Sequence, residues 1–126
     1  MDNCVITSSN RGVAFMNCSH GYVSDVVLSN LTIETKLHDW FWRGDGEALH
    51  FNIKRRSEIH ASVSKFTVQP IGSIRSVLIR NIIARGNGSS VILGHSESYL
   101  ENVSVDNIRL FLSAGPEYPM QKASMP

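Results

Sequence analysis

Three stretches of the chain carry the same order of apolar and polar positions around an asparagine. Val26 and Leu28 precede Asn30, and Leu31 and Ile33 follow it. Val77 and Ile79 precede Asn81, with Ile82 and Ala84 after it; Val103 and Val105 precede Asn107, with Ile108 and Leu110 after it. A shortened copy around Asn3 opens the chain. Alternation with a period of two predicts a strand on each side of the asparagine. The phase slips by one residue at the asparagine itself, which predicts a bend there. Asn3 to Asn30 is 27 residues and Asn81 to Asn107 is 26. A repeat of this length is the mark of a solenoid, and bent strand pairs at one turn per repeat point to an all-β parallel β-helix. In that arrangement Asn3, Asn30, Asn81 and Asn107 form a structural ladder. Each amide is expected to point inward at a corner and stack on the next, its donors and acceptor satisfying backbone groups freed by the bend.

Between these repeats the pattern places a shorter third strand: residues 13–16, then Glu47 to Ile53, then residues 90–93. Asn30 to Asn81 spans 51 residues. We read this as one coil carrying two insertions, near residues 36–46 and 54–73, because the segment around Asn52 lacks the apolar columns that precede a ladder asparagine. Residues 1–112 are thus coils, about three to four of them with inserted loops. Residues 113–126 hold three of the four prolines and cannot continue a central strand. This tail is expected either to be disordered or to lie across the end of the stack with Tyr118 and Met120 as plugs. The chain starts inside a repeat without a polar cap, so it is expected to be the C-terminal part of a longer β-helix whose open strand edges could drive edge-to-edge self-association.

Composition narrows the function classes. Lys plus Arg is 12 against 11 Asp plus Glu, a net charge of +1, which does not supply the basic face that nucleic acid requires. No apolar run is long enough to span a membrane, and Met1-Asp2-Asn3-Cys4 has no leader character. Cys4 and Cys18 are expected to be buried free thiols, with a disulfide between them as the other reading. The five histidines are scattered without metal-ligand spacing, so no metal or other cofactor is expected.

The candidate chemistry concentrates in His38-Asp39-Trp40-Phe41-Trp42-Arg43-Gly44-Asp45-Gly46-Glu47, followed by His50. Flat aromatic faces stack on sugar rings, and nearby carboxylates and a guanidinium bond hydroxyls. Trp40, Trp42, Arg43, Asp45, Glu47 and His50 are therefore the candidate substrate-binding residues. The other reading is that Trp40 and Trp42 cover the outside of the coils. Gly44 and Gly46 permit a tight backbone path. Asp45 and Glu47 form a carboxylate pair of the kind glycoside hydrolysis uses, but such pairs are common in loops and neither is assigned as catalytic. Lys54-Arg55-Arg56 could attract an acidic saccharide, but a solvated loop is the favoured reading, and His20 and His95 read as turn residues.

Taken together, Asn10-Arg11-Gly12-Val13, the repeat from Val26 to Glu34, Trp42-Arg43-Gly44-Asp45-Gly46-Glu47, the repeat from Ile74 to Ile82 and the one from Leu100 to Ile108 resemble the C-terminal coils of glycoside hydrolase family 28, the polygalacturonases. The resemblance covers nearly everything from Asn3 to Leu112. It implies a right-handed parallel β-helix, an extracellular or periplasmic parent, and inverting hydrolysis of pectic polysaccharide by an acid and a base. The family's Asn-x-Asp, Asp-Asp and Gly-His-Gly motifs are absent from this chain, so by resemblance the catalytic acids lie upstream and this chain alone is expected to be inactive. The family's substrate-gripping Arg-Ile-Lys should follow Gly12-Val13, where this chain has Ala14-Phe15-Met16. The alternative is a non-catalytic carbohydrate-binding or structural β-helix.

Overall fold

The computed structural model describes residues 1–18, 20–38, 44–55 and 71–114. Among them the chain is all-β, with seven strands: β1 (Asp2–Ser9), β2 (Arg11–Asn17), β3 (Tyr22–Thr35), β4 (Glu47–Ile53), β5 (Ser73–Gly86), β6 (Val91–Leu93) and β7 (Glu101–Leu112). They form two sheets, ordered β1-β3-β5-β7 and β2-β4-β6. Every strand pair is parallel. Among the described residues, successive strands therefore fall in alternate sheets. No helix among the described residues is long and apolar enough to cross a membrane. The tail beyond Ala114, with Tyr118 and Met120, lies outside the described residues.

Register lines up the repeated pattern. Leu31 pairs with Ile82 and Ile82 with Ile108, while Leu28 pairs with Ile79 and Ile79 with Val105. The 51-residue gap is closed by direct pairing of β3 with β5. Asn52 lies in β4, in the other sheet, opposite Met16 and Leu93. The core sits between the two sheets. Leu28, Leu31, Ile33, Val77, Ile79, Ile82 and Ala84 from the longer strands meet Val13, Leu49, Phe51 and Ile53 from the shorter ones. Removing this surface from water is the main favourable term holding the sheets together. Cover falls away at the last strand: Ile79 and Ile82 are fully enclosed, whereas their neighbour Val105 is half exposed.

The phase slip has a backbone cause. Asn30, Asn81 and Asn107 adopt the left-handed conformation, with φ of 55°, 55° and 53°, and Asn3 does the same at 53°. Asparagine tolerates this region better than other side chains with a Cβ. One such residue lets the next apolar side chain return to the core, so Leu28 and Leu31 are both buried although three positions apart. A second left-handed column, Asp25, Ser76 and Asn102, precedes the first by five residues.

The asparagines are hydrogen-bonded to one another. Asn107 Nδ2 donates to Asn81 Oδ1 at 2.9 Å, and Asn81 Nδ2 donates to Asn30 Oδ1 at 3.2 Å. Asn30 Nδ2 donates to Asp2 Oδ1 at 2.9 Å, so it is Asp2 that receives the last amide, with Asn3 holding the matching bend. The inward orientation expected from the sequence is corrected here: Asn30, Asn81 and Asn107 are exposed. The bend turns the apolar flanks in and the amide out, and the amides satisfy each other on the surface. The hydroxyl of Ser29 and the Asn30 amide both donate to Asp2, which holds its carboxyl below the usual range.

Asn81→Ala removes two ladder bonds and puts alanine in the left-handed region, and should destabilise the fold by about 1–3 kcal/mol. Asn81→Gly loses the bonds but keeps the conformation, and should cost clearly less. Urea unfolding of the two variants beside the parent protein measures the difference. Equal losses would mean that the backbone conformation contributes nothing.

Candidate functional site

The turn that leads into β4 is built by stacking. Gly46 N donates to Asn10 O at 2.7 Å, and Gly88 N donates to Gly46 O at 3.1 Å. The Asn10 side chain accepts from His38 N at 2.8 Å, and the Asn87 side chain accepts from Leu37 N at 3.0 Å. The inserted segment is thus fastened at both described ends, before residue 39 and after residue 43. Gly44 and Gly46 have φ of +98° and +81°. A Cβ on Gly44 would come within 2.7 Å of Asn10 O. Both the dihedral and the space require glycine here. Trp40, Trp42 and Arg43 lie outside the described residues.

This turn delivers Glu47 to the first position of β4, opposite Arg11 at the head of β2. Glu47 is 2% exposed. Its carboxylate accepts from Arg11 Nε, from Asp45 N at 2.5 Å, and lies 3.2 Å from His50 Nδ1. Burial alone would raise its pKa. The Asp45 N–H and the Arg11 guanidinium outweigh that and hold the carboxyl below its ordinary value. Asp45 contributes its backbone while its side chain is exposed. The carboxylate pair read from the sequence is therefore two unlike groups: one enclosed and ion-paired, one in solvent.

The polar line continues along the sheet. Asn52 Nδ2 lies 2.9 Å from His50 Nε2. With the amide donating, Nε2 accepts, so Nδ1 carries the proton and donates to Glu47. Asn52 is itself 4% exposed, and its Oδ1 has no hydrogen-bond partner. Arg11 also reaches forward, its Nη1 lying 3.2 Å from Met16 Sδ. By strand alternation His50 and Asn52 lie on the face opposite Leu49, Phe51 and Ile53, which belong to the core. Phe15 and Phe51 pack ring against ring beneath, their centroids 5.1 Å apart.

Among the candidate residues described, the structure joins Glu47, His50 and the backbone of Asp45 into one network. Sequence reading missed Arg11 and Asn52. In the sequence Arg11 stands out only within the Asn10-Arg11-Gly12-Val13 stretch of the resemblance; the signal that could have found it is its place at the head of a third-face strand, as Glu47 heads the next. Asn52 enters the sequence pattern only as a rival ladder position. Of the basic stretch, Arg55 Nη1 pairs with Glu97 Oε2, Lys54 is exposed, and Arg56 lies outside the described residues. His20 is exposed, and His95 sits in a tight turn where it exchanges backbone bonds with Ser98 at 2.9 and 3.1 Å. Cys4 and Cys18 are free and half-buried.

No family model matches this chain, and neither a curated protein nor a solved structure does so.

Because the folded-state pKa of Glu47 is depressed, its contribution to stability is present above the unfolded value, near 4.5. It is lost as pH falls from there through the folded-state value. Glu47→Gln should flatten the acid limb of a stability–pH profile measured by chemical denaturation between pH 3 and 7. Arg11→Ala leaves a buried carboxylate with one donor fewer and should cost about 1–3 kcal/mol at neutral pH.

Proposed function

We propose that this chain is a segment of a right-handed parallel β-helix that lends one wall to a polysaccharide groove, in a pectin-acting glycosidase like those it resembles. The carrying observation is the hydrogen-bonded chain Arg11, Glu47, His50 and Asn52 at the β2-β4-β6 sheet. Strands that alternate between two parallel sheets, with bends in register, support the winding. The glycine turn ahead of Glu47 supports the groove, since it fixes the backbone at Gly44 and Gly46 against the neighbouring turns. In this reading His50 is the ligand-facing polar group, and Arg11, Glu47 and Asn52 hold its orientation.

The inverting chemistry needs a carboxylic acid that protonates the leaving oxygen and a carboxylate that activates water across the ring. Glu47 suits neither role, being enclosed and kept ionised by Arg11 and the Asp45 N–H. The acid and base of the parent enzyme therefore come from outside this chain, and the chain alone binds without hydrolysing. That pairing of Glu47 equally favours the second reading, a carbohydrate-binding β-helix with no chemistry.

Isothermal titration with fragments of pectic polysaccharide should show binding that His50→Ala weakens by about three- to tenfold, the equivalent of one or two lost hydrogen bonds. Incubation of the same fragments with the chain should release no reducing ends. Absence of binding to every pectic fragment would remove the groove.

A further inference from the structure

We propose that a second copy of this chain pairs with β7, antiparallel and across a two-fold axis, so that the two open sheet ends close on each other. This goes beyond the groove reading and gives an edge, a direction and a register to the self-association expected from the sequence. β7 is the last strand of the longer sheet, and among the described residues no strand pairs with its outer edge. Its core-side residues are Val103, Val105, Ile108 and Leu110, aligned with Val77, Ile79, Ile82 and Ala84 of β5. The β5 residues are buried, whereas Val105 is 50% exposed and Leu110 39%. An apolar column left open at a strand edge is an interaction surface.

The phase of the strand selects the partner. The left-handed Asn107 sets Val105 and Ile108 three positions apart, with Val103 and Leu110 each two positions further out. That order reads the same in both directions about the point between Asp106 and Asn107. A second β7 running antiparallel about this point therefore sets Val105 opposite Ile108 and Val103 opposite Leu110, twice each and all on the core side. A shift in register breaks the match, because the core-side positions are not evenly spaced across the bend. The outward residues agree in charge. Ser104 comes opposite Arg109, and Arg109 lies diagonal to Asp106 of the second copy, within reach of a long side chain. The two-fold axis makes that contact twice. The parallel arrangement, β1 of one copy on β7 of the next, carries the opposite sign. Register through Ser29 and Arg80 would set Asp2 beside Asp106, carboxylate against carboxylate.

Sedimentation equilibrium of the whole chain, at neutral pH with the thiols kept reduced, should show monomer and dimer exchanging at about micromolar concentration and nothing larger. Asp106→Arg and Arg109→Asp, both at exposed positions, should each weaken the dimer by about five- to tenfold. The first sets cation against cation and the second anion against anion. Mixed in equal amounts, the two variants should pair with each other at close to the parent affinity, since opposite charges then meet at both contacts. A parent protein that stays monomeric to about 100 μM overturns the proposal, the result expected if another part of the chain covers β7. Growth beyond the dimer overturns it in favour of head-to-tail stacking. Single variants that dimerise like the parent, or a mixture that does not pair, overturn the register.

Discussion

A left-handed backbone at one residue in each long strand is the constraint on which this fold depends. A regular strand would send every second side chain to the same side without interruption. The left-handed Asn30, Asn81 and Asn107 interrupt that alternation, and Leu31, Ile82 and Ile108 turn back toward the core as a result. Each bend is tolerable because asparagine visits this region at modest cost. Its amide then finds a partner on the neighbouring strand. Register and bend enforce one another: a one-residue slip of any strand would separate the amides and expose the apolar column together.

The ladder also has a direction. Every Nδ2 donates toward the N-terminal side, and the series ends on the Asp2 carboxylate. An anion is a better terminal acceptor than another amide, which is why Asp2 takes a place that alignment of asparagines alone assigns to Asn3. The second left-handed column, through Asp25, Ser76 and Asn102, confines the segment between the two bends. Two columns of bends give the longer sheet its shape, while the shorter strands of the other sheet run without them.

That difference between the sheets locates the chemistry. The short strands β2 and β4 begin at a stacked turn, where Asn10, Gly46 and Gly88 are linked by backbone hydrogen bonds. Glu47 is 2% exposed beside this turn, so its carboxylate must be paired within the protein. Arg11, Asp45 N–H and His50 supply the partners. The result orients His50 and pairs the charge of the Arg11 guanidinium.

The alternation around Asn30, Asn81 and Asn107, and the near-constant spacing, determined by themselves that the chain is all-β and that these asparagines share a column. They also determined that Glu47 to Ile53 is a strand of its own. Such features are local: the pleat has a period of two whatever surrounds it, and the break in phase is written in consecutive residues. Whether the amides face inward or outward is a different matter. It depends on which side of the bend the two sheets close, and that is decided by Leu28, Leu31 and their neighbours packing on Leu49 and Phe51. The site divides in the same way. Asp45 and Glu47 are equivalent as a pair of carboxylates two residues apart, and only the folded turn buries one and leaves the other in solvent. Arg11 lies 36 residues before Glu47, a separation with no local signature, and it becomes a partner only because parallel pairing sets β2 beside β4.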